Sequence, residues 1–226
     1  MELTGDTVDV WRVDLRAPPA TVRFLERTLD GDERERMHRR GDPSLRRRYT
    51  VAHGAKRCVV AGYTGAAPAE LRWRRGRYGK PELCGRRPVR TSLTHAGDLA
   101  LVAVSAVRDV GVDVEQPRDA ETAVRLADRY FPAAEARLVR GAEPADRAAL
   151  FARLWTRKEA CVKATGGKLA HGLRLPVAAG DPPLLTVRDL SLPARWVAAV
   201  ALRGDAPFTA VVHDWAEIAS TVGCQA

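Results

Sequence analysis

The chain has 226 residues, 46% of them hydrophobic and 29% charged, enough for one large domain or two small ones around a packed core and unlike a disordered chain. A formal net charge of +9 and an isoelectric point near 9.9 point to anionic partners: nucleic acid, phosphorylated cofactors or acidic proteins. No apolar run is long enough to span a membrane, no basic and apolar leader opens the chain, and the widely spaced Cys58, Cys84, Cys161 and Cys224 argue against zinc or a disulfide framework and for a reducing cytoplasm.

Thr7 to Leu15 reads as a strand, with Val8, Val10, Trp11 and Val13. Pro18 and Pro19 suit the first turn of a helix running to about Leu29. Gly31 to Arg40 reads as a polar, arginine-rich stretch. Ser44 to Tyr63 has the spacing of a long helix, with Val51, Ala55, Cys58 and Val59 on one side. Leu71 to Tyr78 reads as a strand in a basic loop region, and Gly79-Lys80-Pro81 as a turn. Val89 to Leu93 and Leu99 to Ser105 read as strands joined by a turn from Thr94 to Asp98. Val110 to Glu115 is another strand. Helices follow from Ala120 to Tyr130, from Pro132 to Arg140 and from about Pro144 to Ala164, the last stopped by Gly166-Gly167. Three closing strands complete the chain: Leu184 to Leu190, Ala194 to Leu202 and Phe208 to His213. A boundary falls near Arg108 to Gly111.

Nearly all the positive charge is arginine, which a GC-rich gene also produces. Lysine stands only at positions 56, 80, 158, 163 and 168, and all but Lys56 fall in or beside the motifs below.

The first motif is Gly111-Val-Asp113-Val-Glu115. Residues two apart on a strand share a face, so Asp113 and Glu115 project together while Val112 and Val114 face the core. Paired carboxylates with substrate phosphates suit Mg²⁺, although a D-x-E on a solvent-facing strand needs no metal. The second is Trp155-Thr-Arg-Lys158-Glu159-Ala-Cys-Val-Lys163. Glu159 and Lys163 stack one helical turn apart, with Trp155 a turn earlier; alone, they make a surface ion pair beside a core tryptophan. The third is Ser92-Leu-Thr94-His95-Ala-Gly97, which puts a hydroxyl and an imidazole at a strand end, a place for anion contacts or simply a polar hairpin turn. No G-x-S-x-G elbow supports a serine nucleophile.

Together with Gly79-Lys80-Pro81-Glu-Leu, these segments resemble, in order and spacing, the 4′-phosphopantetheinyl transferase superfamily over roughly Arg36 to Leu169. The size is similar to the monomeric Sfp-type members, the surfactin-synthetase-activating class, rather than the short trimeric type. The resemblance implies an α+β (α/β) fold of two similar halves related by a pseudo-two-fold, each a small antiparallel sheet packed on a long helix. Residues 1–109 would contact the nucleotide of coenzyme A, and 110–226 would carry the Mg²⁺ site and the catalytic helix.

It also implies transfer of the 4′-phosphopantetheine group of coenzyme A to a serine of an apo acyl or peptidyl carrier protein, with release of 3′,5′-ADP. Asp113, Glu115 and Glu159 would hold Mg²⁺, while Lys163 would contact the phosphates and stabilise the leaving group. Glu159, directly or through water, is the candidate base. Thr94 (serine in many members) and His95 resemble the pair at the 3′-phosphate, with Arg48. Lys80 and Pro81 would lie near the adenine nucleotide, Asp113 would join the cofactor contacts, and Lys158 would either face the phosphates with them or only help shape the helix. Arg36 and Arg40 are further basic candidates. The segment Thr165-Gly-Gly-Lys168-Leu departs from members that carry another glycine near Lys168, which bears on loop geometry. The expected setting is a cytoplasmic monomer in secondary metabolite biosynthesis, with no membrane and no nucleic-acid partner. A nucleic-acid-binding protein lacks here a recognised module or aromatic stacking cluster. A Mg²⁺-dependent phosphodiester hydrolase or a non-catalytic coenzyme A-binding subunit would use the same groups differently.

Overall fold

The structure, a computed structural model, describes residues 1, 3–85, 89–193 and 195–219. Cys224, and Ala194 at the start of one expected strand, lie outside the described residues; Cys84 and Cys161 are free thiols.

Strand β1 (Thr7–Asp14) is followed by helices α1 (Pro19–Thr28), α2 (Gly31–His38) and α3 (Pro43–Thr64). Next come a short hairpin, β2 (Trp73–Arg75) and β3 (Pro81–Leu83), then β4 (Arg90–Ala96), β5 (Leu99–Ser105) and β6 (Val110–Glu115). Helices α4 (Ala120–Tyr130), α5 (Ala133–Gly141), α6 (Arg147–Thr165) and α7 (Leu169–Gly172) precede β7 (Leu185–Leu190), β8 (Val197–Arg203), β9 (Thr209–Asp214) and α8 (Trp215–Ala219).

Two sheets form the centre. One has the order β4-β5-β1-β9 and the other β6-β8-β7. All pairings are antiparallel except that of β9, which crosses back from the C-terminal end to lie parallel to β1. Alternation on each strand decides what it faces. On β1, Trp11 and Val13 turn toward α3, where they pack with Val51, Ala55 and Val59. Val8 and Val10 turn the other way, onto Val112, Val114, Val200 and Leu202 of the second sheet. The far face of that sheet, Val187, Ala199 and Ala201, packs on Phe151, Leu154, Ala160 and Cys161. The layers therefore run helix, sheet, sheet, helix, the expected α+β fold of small sheets packed on long helices. Among the described residues no helix is long and apolar enough to cross a membrane.

Two local readings change. Gly31–His38 is a helix, because Asp30 and Glu33 close a capping box: the Asp30 carboxylate accepts from Glu33 N at 2.9 Å and the Glu33 carboxylate from Asp30 N at 3.3 Å. Few apolar residues mark it, and it is held instead by Met37, packed with Leu29 and Tyr49, and by Arg57. That arginine is fully buried; it donates to Glu33 at 2.5 Å, to the carbonyls of Pro68 and Leu71, and to Asp30. The β4–β5 turn is also tighter than expected. Ala96 pairs with Leu99, so only Gly97 and Asp98 turn the chain, with Gly97 at φ 51° as a two-residue hairpin loop requires. Thr94 and His95 therefore belong to a strand and point to opposite faces.

Candidate active site

Strand β4 is one edge of the first sheet and β6 one edge of the second, and the two edges meet. The Val112 N–H, on β6, donates to Ser92 Oγ on β4 at 3.1 Å. One step along, Thr94 Oγ1 donates to Asp113 Oδ1 at 2.9 Å. Helix α6 lies directly over β6 at Gly111, where a Cβ would stand 2.0 Å from the Ala160 carbonyl oxygen and 2.4 Å from Ala164 N. Only glycine permits that approach. It brings the outward face of β6, Asp113 and Glu115, under the Glu159–Lys163 face of the helix.

Lys163 is the hub. Its ammonium is 2.6 Å from Asp113 Oδ1, 3.2 Å from Thr94 Oγ1 and 3.9 Å from a Glu159 oxygen. The carboxylates are crowded despite that cation. Burial, then the charges of Asp113 and Glu115, push Glu159 up to about 7, against the opposing pull of Lys163. Burial likewise raises Asp113, opposed by Lys163 and Thr94. Burial and the Asp113 charge raise Glu115, opposed by Arg118 and Lys163. Asp113 Oδ2 is buried with no hydrogen-bond partner.

These oxygens fit a hard cation: three carboxylates that ionise reluctantly together and one orphaned buried acceptor are what a divalent ion satisfies. Among the described residues, however, no three His, Cys, Asp or Glu side chains converge as a ready-made metal site. The Lys163 ammonium, not a third carboxylate, is what stands against Asp113.

Beside the cluster opens a cavity of about 390 Å³ whose lining includes Lys80, Pro81, Ser92, His95 and Lys163. Lys80 closes one side. Its ammonium donates to the carbonyls of Ala164 at 2.9 Å and Val110 at 3.2 Å, tying the β2–β3 hairpin to the end of α6. There Gly166 adopts φ 64° and ends the helix. His95 is exposed at the cavity wall; packing around it, with Arg40, Lys163 and Arg48, holds its imidazole below the ordinary range. Arg48 pairs with Asp98 of the β4–β5 turn at 2.9 Å, and Arg40 lies over the Tyr49 ring at 4.5 Å. Arg36 pairs with Asp32 at 3.6 Å on the surface of α2.

Lys158 is not brought to this cluster. It is fully buried, 2.5 Å from Glu135 of α5, and donates to the Leu175 carbonyl. Glu135 in turn accepts from Val177 N at 2.6 Å and Ala178 N at 2.9 Å. Adjacent helix positions point about 100° apart, so when Glu159 faces the site Lys158 faces α5. Sequence reasoning passed over Glu135 and the cavity-lining His53, Lys56 and Tyr78. None carries a spacing signal, because each reaches its place through packing between distant segments.

The family model described as the 4′-phosphopantetheinyl transferase superfamily matches residues 109–211. The 4′-phosphopantetheinyl transferase HetI of Nostoc sp. is 33% identical over 215 residues, 90% of this chain and 91% of its own length. A putative 4′-phosphopantetheinyl transferase of Synechocystis sp. is 32% identical over 147 residues, 64% of this chain and 60% of its own. The 4′-phosphopantetheinyl transferase AcpT of Salmonella typhimurium is 36% identical over 92 residues, 41% of this chain and 48% of its own.

Proposed function

This chain belongs to the 4′-phosphopantetheinyl transferase superfamily and is a transferase of that kind, and from that premise we propose that it moves the 4′-phosphopantetheine group of coenzyme A to a serine of an apo acyl or peptidyl carrier protein, releasing 3′,5′-ADP. The observation that carries the reading is the Thr94–Asp113–Lys163 contact beside Glu159, where a cation and crowded carboxylates border a cavity lined by basic groups.

In this reading the carrier serine oxygen bonds to the β-phosphorus of coenzyme A. The bond from that phosphorus to the bridging oxygen breaks, and 3′,5′-ADP departs with the electron pair. The serine proton goes to Glu159, directly or through a water that it positions. Lys163 offsets charge on the departing nucleotide. Asp113, Glu115 and Glu159 would hold Mg²⁺, which supplies charge neutralisation at the pyrophosphate. Thr94, His95, Arg48, Lys80 and Pro81 would bind the nucleotide; Lys158, engaged by Glu135, is left out of the set. Nucleotide contacts are thus assigned mainly to 1–109 and the carboxylates and catalytic helix to 110–226, with β9 returning to the first sheet. A cytoplasmic monomer serving secondary metabolism belongs to the same proposal.

The test is one incubation of the full chain with coenzyme A, Mg²⁺ and several apo carriers, read by mass spectrometry. A phosphopantetheine mass gain on a carrier, lost on chelation, is expected. Release of 3′,5′-ADP with no carrier modified would replace the transferase reading by a hydrolase.

A further inference from the structure

Three lysines line the cavity, and they differ in what holds their ammonium groups. Lys163 is held by Asp113 and Thr94. Lys80 is held by two backbone carbonyls. Lys56, the lysine that belongs to no sequence motif, has neither kind of partner among the described residues. It is 5% exposed on α3, with its ammonium 3.6 Å from the centroid of the Trp73 ring. The carboxylates whose fields reach it are already engaged: Glu33 by Arg57 and His53, and Asp30 by Arg57. Burial lowers Lys56 to about 8, the response of a cation taken from water without a counter-ion. The tryptophan face stabilises the charge from one side only, and no carboxylate lines the cavity among the described residues. The donors of Lys56 therefore meet only a ligand that brings its own acceptor or negative charge.

We propose that Lys56 is a further specificity-determining residue of this cavity, donating from the α3 wall to an acceptor or anionic group on the nucleotide part of the substrate. The inference rests on the transferase reading only for the identity of that nucleotide. Trp73 presses on the lysine and is a positioning residue: it holds the ammonium at the wall and keeps water from one side of it.

The test compares wild type with Lys56→Met, whose apolar side chain packs on Trp73 without the charge. Titration calorimetry with 3′,5′-ADP should show the dissociation constant weakened about tenfold, the scale of one hydrogen bond to a charged group. Unliganded melting should be unchanged or higher. KM for coenzyme A should rise by a similar factor while kcat changes little. A loss confined to 3′,5′-ADP assigns the 3′-phosphate; an equal loss with 5′-AMP assigns the part the two nucleotides share. Equal affinity of wild type and variant for 3′,5′-ADP and coenzyme A would overturn the proposal. Failure of wild type to bind either would instead remove the transferase reading. Should the variant not fold, reductive methylation of wild-type Lys56 with and without 3′,5′-ADP decides: protection supports the contact, and unchanged labelling overturns it.

Discussion

Helix α3 on the first sheet and helix α6 on the second share a plan but leave their charge in opposite states. Each is long, 22 and 19 residues, and each ends on a glycine with positive φ, Gly65 at 76° and Gly166 at 64°. Beneath α3, Lys56 at the cavity wall apart, the buried charge is closed: Arg57 meets Glu33, Asp30 and two carbonyls. Beneath α6 it is open: burial raises Asp113, Glu115 and Glu159, the Asp113 charge adds to the last two, and Lys163 is the cation that opposes all three. The α6 layer also keeps one closed pair, Lys158–Glu135, on its far side. A satisfied buried pair stabilises and specifies a structure. An unsatisfied cluster is held by the surrounding packing and is available for a ligand.

That contrast can be broken from the open side first. Glu159→Ala should reduce carrier modification by at least about a hundredfold, the scale of a lost general base, while circular dichroism still shows the wild-type fold. Full transfer by this variant, read as carrier mass, would remove Glu159 from the proposed mechanism. Asp113→Ala should lose Mg²⁺-dependent turnover, and an unchanged metal titration would take Asp113 off the ligand set.

Gly111→Ala tests the packing that creates the open side. Its new methyl group meets the backbone of α6, so a loss of about 3 kcal/mol or more is expected in denaturant unfolding, with activity falling alongside. On the closed side, Glu135→Ala leaves a buried ammonium unpaired and should cost about 3–5 kcal/mol. The fraction that remains folded should bind 3′,5′-ADP as wild type does. Weakened binding there would mean that Lys158 belongs to the site after all.

The pH prediction is smaller and has a definite sign. The folded state holds Glu159 at about 7, above its ordinary 4.5, so folding favours the protonated form. The stability this contributes is full below about 4.5 and is lost as pH climbs through about 7, by roughly 3 kcal/mol at most. Melting curves in chelator at pH 5.5 and pH 8 should therefore separate wild type from Glu159→Gln, which has no such step. Transfer should run the other way, falling as the pH is lowered and the base takes up its proton. The least effect is expected from Arg48→Gln, whose half-exposed pair with Asp98 contributes little to stability. A few-fold rise in KM for coenzyme A is the measurement that checks it.

Much of this was legible one residue type at a time. Alternation on Val110–Glu115 put Asp113 and Glu115 on one face, helical spacing put Glu159 above Lys163, and Gly166-Gly167 marked where α6 stops. What was not legible had no local signature. Helix α2 is nearly all polar, and its capping box lies in an Asp-to-Glu spacing that an apolar-periodicity reading passes over. Lys158 stood beside Glu159 in the same motif, and only the packing of α5 against α6 decided that the two face apart. Lys56 was set aside for want of a motif, and its place against Trp73 depends on how the β2–β3 hairpin folds over α3.

By itself, then, the sequence determined which residues carry charge and which face of each strand or helix they occupy, because both follow from periods of two and 3.6 along the chain. The tertiary structure alone decided which faces meet. Gly111 lets α6 settle onto β6, the Ser92–Val112 and Thr94–Asp113 contacts join the edges of two sheets, and β9 returns to the first strand. Those contacts link segments far apart in the chain, where no local period reaches.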